Sequence, residues 1–273
     1  MQSRAIPGSG EMLPVIGCGT WQGFDRAPGS AEFGRLGDVL SALFDAGGSV
    51  IDSSPMYGKA EAAVGRLLAA RSAGTRPFLA TKVWTSGRSA GVRQMEQSLR
   101  LLGAPAVDLM QVHNLVDWRT HLPTLQEWKQ AGRVRYVGIT HYTTTAYAEL
   151  ASVLRSERWD FLQVNYSIDE RAAAHRLLPL AQELGVAVLV NLPFGGGRML
   201  RSLRARSLPS WAEEIGCATW PQVLLKFVLA HPAVTCVIPG TGNPEHMAQN
   251  AQAGSGTIPD LAFWDDKLHL FGG

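Results

Sequence analysis

Eight short apolar runs recur along this chain, separated by longer segments with helical spacing of apolar residues. The runs are Val15–Gly19, Val50–Ser53, Phe78–Lys82, Leu109–His113, Tyr136–Thr140, Phe161–Asn165, Ala187–Asn191 and Cys236–Pro239. Between and after them lie Ala31–Ala46, Ala60–Ala73, Val92–Leu102, Thr120–Ala131, Ala146–Leu154, Ala172–Leu184, Trp220–Ala230 and Pro244–Ala251, which repeat with the period of a helix that buries one face. The short runs are nearly continuous in apolar character rather than alternating, as parallel strands covered on both sides are. Eight strand–helix units with short connections in 273 residues predict an α/β chain, a single (β/α)8 TIM barrel occupying 1–273 as one domain. A doubly wound open sheet is the alternative. The turn after its first strand would read G-x-G-x-x-G, and here the chain reads I-G-C-G-T-W-Q-G from Ile16 to Gly23, a poor fit. Ahead of the barrel, Pro7-Gly8-Ser9-Gly10 between short extended segments predicts an N-terminal β-hairpin.

Charge narrows the functional classes. A net charge of +2, with both signs interspersed, makes no electrostatic case for nucleic acid or a charged membrane surface. No signal-like N-terminus and no apolar run long enough to span a bilayer is present. Cys18, Cys217 and Cys236 are odd in number and far apart, which argues against a disulfide framework or a zinc ribbon and for a reducing, cytoplasmic setting with no metal.

In a parallel barrel the functional groups gather at the C-terminal ends of the strands. Those ends carry Gly19-Thr20-Trp21; Asp52, with Tyr57 on its loop; Lys82-Val83-Trp84; His113; Thr140-His141; Gln163; and Pro239-Gly240-Thr241. Singly, each has an ordinary structural reading, as a capped loop, a solvated charge or a satisfied core histidine. Together, Asp52, Tyr57, Lys82 and His113 place four ionisable groups at one mouth. An ammonium beside a phenol lowers the phenol's pKa, so Lys82 is expected to make Tyr57 a proton donor near neutral pH, with Asp52 holding Lys82 charged. His113 would orient a carbonyl oxygen or share in the proton relay. No nucleophile elbow, H-E-x-x-H or P-loop accompanies them. After the seventh run, Pro193-Phe194-Gly195-Gly196-Gly197 leads into a segment with Arg198, Arg201, Arg204 and Arg206. It reads either as a phosphate-binding turn with a short extra helix or as a loop with solvated arginines.

The motifs G-T-W, I-D-S-S-P-M-Y-G, T-K-V-W, Q-V-H-N, V-G-I-T, Q-V-N-Y and V-I-P-G-T-G-N-P-E-H-M-A-Q-N stand in order from Pro14 to Ala251. In this the chain resembles the aldo-keto reductase superfamily. The resemblance implies a barrel that binds NADP(H) in an extended pose and passes hydride to an aldehyde or ketone. It also implies Tyr57 as general acid, assisted by Lys82, Asp52 and His113. By the same resemblance Gly19, Thr20, Trp21, Asp52, Thr140, His141, Gln163, Asn191, Pro193, Phe194, Gly195, Pro239, Gly240, Thr241, Gly242, His246, Gln249 and Asn250 face the cofactor. Trp21, Trp84 and Trp118 would line the substrate side. A monomer is the default, an oligomer staying open.

Some positions depart from the family pattern. Thr140-His141 stands where a Ser-Asn pair is usual, and His141 would need one particular tautomer to serve. Asn191 stands where an aromatic ring often stacks on the nicotinamide, a place Phe194 could take over. Gly240 and His246 replace two cations that many members direct at the 2′-phosphate of NADP(H), leaving NAD(H) as the alternative cofactor. Backbone amides at the start of the Pro244 helix, with Thr241 and Asn243, or an arginine from 198–206, would then receive the phosphate. The short loop after the fourth run and the short tail after Ala253 predict a shallow, open pocket. A second reading, from another class, is a regulatory or interaction protein that binds the cofactor with little or no turnover. An isomerase or aldolase using Lys82 as a Schiff-base nucleophile ranks last, because Asp52 would keep that amine charged.

Overall fold

The computed structural model describes residues 1–71 and 74–271. A two-stranded antiparallel hairpin comes first, β1 (Ser3–Ala5) with β2 (Met12–Pro14). Eight parallel strands follow: β3 (Cys18–Gly19), β4 (Val50–Asp52), β5 (Phe78–Val83), β6 (Val107–His113), β7 (Val134–His141), β8 (Phe161–Asn165), β9 (Ala187–Asn191) and β10 (Val234–Val237). Each pairs with the next in sequence order. Bridges from Ile16 to Val237 and from Gly19 to Gly240 join the first strand to the last, so the sheet curls round on itself as expected. Glycine permits that seam: a Cβ on Gly19 would stand 2.8 Å from the Ile238 carbonyl oxygen.

Outside the strands lie α1 (Ala31–Asp45), α2 (Ala60–Ala69), α3 (Arg88–Leu102), α4 (Trp118–Gln130), α5 (Tyr147–Ser156) and α6 (Ala172–Glu183). After β9 come α7 (Arg198–Leu203), α8 (Trp211–Glu214) and α9 (Trp220–Ala230). Beyond β10 are α10 (Pro244–Gln252) and α11 (Ala262–Asp265). The helix expected to reach Ala73 ends at Ala69, and positions 72 and 73 lie outside the described residues. α3 and α4 begin earlier than apolar spacing alone suggests, at Arg88 and Trp118, because their first turns are polar or tied by side chains from neighbouring loops. Gly87 N–H, for example, is held by Asp117 Oδ2 at 2.7 Å.

Two layers of core result. The larger lies between strands and helices and buries one face of each long helix, apart from α9, which is buried all round from Gln222 to Ala230. The smaller fills the barrel, where Phe78, Tyr136 and Phe161 pack against one another above the hairpin residues Ile6 and Leu13. The hairpin is pinned beneath the strands by polar contacts: Arg135 pairs with Asp108 and Glu11, and Tyr136 Oη donates to Glu11 Oε2 at 2.6 Å. With the lower end filled by apolar rings, the polar side chains of the strands collect at the opposite end. No helix among the described residues is long and apolar enough to cross a membrane.

Candidate active site

β4 ends on Asp52, β5 carries Lys82 one residue before its end, and β6 ends on His113. Strand period turns Lys82 and Gln111 into the barrel while Thr81 and Met110 face the helices. Lys82 Nζ donates to Asp52 Oδ2 at 2.6 Å and to the Ser53 carbonyl at 2.8 Å. The lysine side chain has no solvent contact. Burial pulls the Lys82 pKa down, but Asp52 and Tyr57 outweigh it and the ammonium is favoured above its ordinary range. A charged, fully enclosed lysine is unfit as a Schiff-base nucleophile, which removes the aldolase reading.

The other Asp52 oxygen accepts from Gln163 Nε2 at 2.9 Å and Gln111 Nε2 at 3.1 Å. Gln111 went unassigned in the sequence, although its place two residues before His113 puts it on the same face of β6. Its neighbour on β7 has to be small, since a Cβ on Gly138 would press on Gln111 Cγ at 3.2 Å and on the Phe161 carbonyl oxygen at 2.8 Å. Gln163 also accepts at Oε1 from Thr140 Oγ1 (3.3 Å) and Asn191 Nδ2 (3.4 Å), so it belongs to the network that holds Asp52.

Tyr57 is partly buried beside this group, with Lys82 Nζ 5.0 Å from its ring centroid and the His113 ring edge-on at 5.9 Å. The Tyr57 pKa is not lowered as expected but raised. Burial raises the phenol, Asp52 adds to the rise, and the pull of Lys82 in the other direction does not overcome them. His113 Nδ1 meets Ser54 Oγ at 3.1 Å, and burial, with Lys82 and His141 nearby, pushes the imidazole down to about 2. It is neutral at ordinary pH. Trp84 lies 6.4 Å from the His113 ring and is 42% exposed, and Trp21 is 50% exposed.

Trp118, placed on the rim by the sequence, opens α4 and is buried, edge-on to Trp159 at 6.3 Å. The apolar face of α4 draws the indole into the helix layer and away from the mouth. The tail is likewise turned outward, with Trp264 buried against Trp211 and Phe227 in the outer helix layer.

Several groups suit a nicotinamide cofactor. His141 Nδ1 accepts from the backbone N–H groups of Tyr142 (3.0 Å) and Thr143 (3.3 Å), so the ring proton sits on Nε2. Asn191 Oδ1 is a buried acceptor without a partner among the described residues. A free donor and an orphaned acceptor at the ends of β7 and β9 are what a carboxamide requires. Thr20, in contrast, uses its hydroxyl on Asp52 O and Ser53 Oγ, and Phe194 is buried in the core rather than free to stack on a ring. The Gly195-Gly196-Gly197 turn holds three consecutive positive φ angles (58°, 65°, 83°), which only glycine adopts without strain. It leads into α7, and Arg198 pairs with Asp169 at 2.7 Å. Between the ends of β7, β8 and β9 lies a cleft of about 250 Å³, lined by Tyr142, Thr143, Asn165, Ser167, Leu192 and Arg198 among others. Tyr142, exposed and stacked on His141, is a further residue the sequence did not single out.

Beyond β10, the amide cradle expected before α10 is partly used up. Asn243 N–H donates to Thr241 Oγ1 at 3.0 Å, and Glu245 N–H donates to Asn243 Oδ1 at 3.0 Å. Gly240, Gly242 and His246 are exposed, Pro193, Gly195 and Pro239 are buried, Gln249 is half-buried, and Asn250 is buried under α10. A side chain at position 240 would be tightly placed, since its Cβ would meet the Gly19 carbonyl oxygen at 3.1 Å.

A sequence profile described as the Aldo/keto reductase family matches residues 15–263. A methylglyoxal reductase of Escherichia coli K12, YeaE, is 28% identical over 260 residues, covering 92% of this chain and 89% of that protein. An aldo-keto reductase of Klebsiella pneumoniae, solved in complex with NADPH, superposes with a TM-score of 0.83 at 27% identity, covering 99% of this chain and 95% of that one. A second Klebsiella pneumoniae structure, with NADP and acetate, gives 0.82 at 28% identity over 99% and 96% of the two chains.

Proposed function

This chain belongs to the aldo/keto reductase family, and on that premise we propose that it reduces aldehydes or ketones with NADPH, as one domain over 1–273. The observation that carries the reading is the buried Lys82–Asp52 pair set beneath Tyr57 and a neutral His113. NADPH, when bound, supplies the hydride. Tyr57 gives its phenolic proton to the carbonyl oxygen as charge builds there. Lys82, held charged by Asp52, stabilises the phenolate left behind, and His113 orients the same oxygen.

His141 Nε2–H and Asn191 Oδ1 hold the carboxamide, Thr140 and Gln163 keep Asp52 and Asn191 in register, and the glycine turn before α7 covers the phosphates. At the adenine end, Gln249 and the surface of α10 serve, while His246 stands near the 2′-phosphate as a weak substitute for a cation. Trp21 and Trp84 form the walls of a shallow, open substrate pocket that admits bulky as well as small carbonyl compounds. The three free, buried thiols support a cytoplasmic setting, and the chain acts as a monomer.

Titration of the wild-type protein with NADPH and NADH, followed by cofactor fluorescence, tests the reading when paired with turnover of methylglyoxal and of a bulky ketone. Tight NADPH binding with turnover is expected. Binding without turnover of any carbonyl would leave only a cofactor-binding protein, and a strict preference for the small substrate would overturn the open pocket.

A further inference from the structure

We propose that Ser54 is a positioning residue that sets the tautomer of His113, so that the imidazole presents Nε2–H, a donor, to the barrel mouth. This rests on the reductase reading of the same site. Ser54 is fully buried, and its Oγ lies 3.1 Å from His113 Nδ1. The hydroxyl also receives the Met56 N–H at 3.4 Å, closing a short turn around Pro55. A serine hydroxyl has one proton to give. With Met56 occupying one of its lone pairs, the hydrogen bonds around it can be counted.

Two arrangements fit a 3.1 Å contact. In the first, Ser54 donates to a bare Nδ1 and the histidine proton sits on Nε2. In the second, Nδ1–H donates to Ser54, and the serine proton must find another acceptor. His113 Nδ1 and the Met56 amide are the only hydrogen-bond partners of Ser54 Oγ among the described residues, and the amide cannot accept. The second arrangement strands a hydroxyl proton in a place water does not reach, which is the costly outcome. The first satisfies every group. It leaves Nε2–H without a protein partner among the described residues but open to solvent, on a ring whose aromatic neighbours are Tyr57 and Trp84. The ring remains neutral, so its tautomer alone decides what it shows to a ligand.

The consequence for reduction follows from the chemistry of a carbonyl oxygen, which only accepts. Nε2–H facing that oxygen stabilises the charge that develops on it, whereas the other tautomer would present a lone pair to it. Ser54 touches neither substrate nor cofactor in this scheme and acts through His113.

The test is a ¹⁵N spectrum of the histidine-labelled, cofactor-free protein at neutral pH, with the His113 signals assigned by their loss in His113→Gln. The expected wild-type result is a pyridine-type Nδ1 and a pyrrole-type Nε2. Ser54→Ala should give averaged or inverted signals, with kcat for aldehyde reduction lowered about tenfold and KM for NADPH unchanged. Ser54→Thr, which keeps the hydroxyl, should restore both. A protonated Nδ1 in the wild type overturns the proposal even if no variant folds. Unchanged signals in Ser54→Ala, or scrambled signals with wild-type kcat, also overturn it. Because the tautomer is read without cofactor or turnover, this outcome stands apart from that of the reductase reading, which Tyr57→Phe decides.

Discussion

Lys82 Nζ lies 2.6 Å from Asp52 Oδ2 inside the barrel, with 0% and 3% of the two side chains exposed. Two charges this far from water stay ionised only because each satisfies the other and the remaining lone pairs have partners, here Gln111 and Gln163. Removing one partner therefore costs more than the pair contributes. Lys82→Met and Asp52→Asn are each expected to lose about 3–5 kcal/mol of stability. Urea denaturation should show that the double variant loses less than the two losses added together.

Tyr57→Phe deletes the proton donor and leaves the ring in place. Turnover of an aldehyde should fall by about 10²–10⁴-fold, while NADPH titration should give a dissociation constant within about twofold of wild type. Near-normal turnover would end the reductase assignment for this site.

The raised phenol has a pH signature. The protonated form is the acid, and burial holds Tyr57 protonated beyond the ordinary phenol range. The rate of reduction is expected to stay flat through neutral pH and to fall only in alkali. An inflection near neutrality that Tyr57→Phe abolishes would show that Lys82 dominates after all.

His113 predicts a loss of stability in acid. In the unfolded chain a histidine titrates near pH 6.5, whereas the folded protein holds this one neutral down to about 2. Below about pH 6.5 the unfolded chain takes up a proton that the folded state refuses, so its contribution is complete above that pH and drains away below it. Each pH unit costs about 1.4 kcal/mol at full effect. Between pH 7 and pH 5, His113→Gln should lose about 2 kcal/mol less than wild type in chemical denaturation.

Gly195 sits at a φ of 58°, and a Cβ there would stand 2.4 Å from Asp169 Oδ2. Gly195→Ala should push Asp169 off Arg198 and loosen the turn before α7. The expected result is several-fold weaker NADPH binding by fluorescence titration, with kcat at saturating cofactor close to wild type.

His246 is exposed in the first turn of α10. His246→Arg should add a charge-assisted contact to the 2′-phosphate and raise the preference for NADPH over NADH about tenfold. An equal gain for both cofactors would place the 2′-phosphate elsewhere. Gly240→Lys is the less useful change, because the Gly19 carbonyl would have to shift to admit it.

Sequence by itself determined the strand–helix alternation, the barrel, the hairpin and the placement of Asp52, Lys82 and His113 at strand ends, with Tyr57 on the loop after Asp52. These follow from periodicity, and periodicity is local: a strand of known period says which side chains point inward before any partner is known. The same period puts Gln111 beside His113, so that residue was readable too.

Tertiary structure decided what those side chains do to one another. Whether Trp118 lines a mouth or fills a helix layer depends on Trp159, forty-one positions away. Whether Tyr57 is lowered by Lys82 or raised by burial depends on how much water several converging strands exclude. The amides before α10 were open to a phosphate until Thr241 and Asn243 turned back onto them. Gln163 became a ligand of Asp52 across 111 residues of chain. Burial and the sharing of hydrogen bonds are set by elements distant in sequence, so the positions of the groups were legible in the chain but their protonation and partners were not.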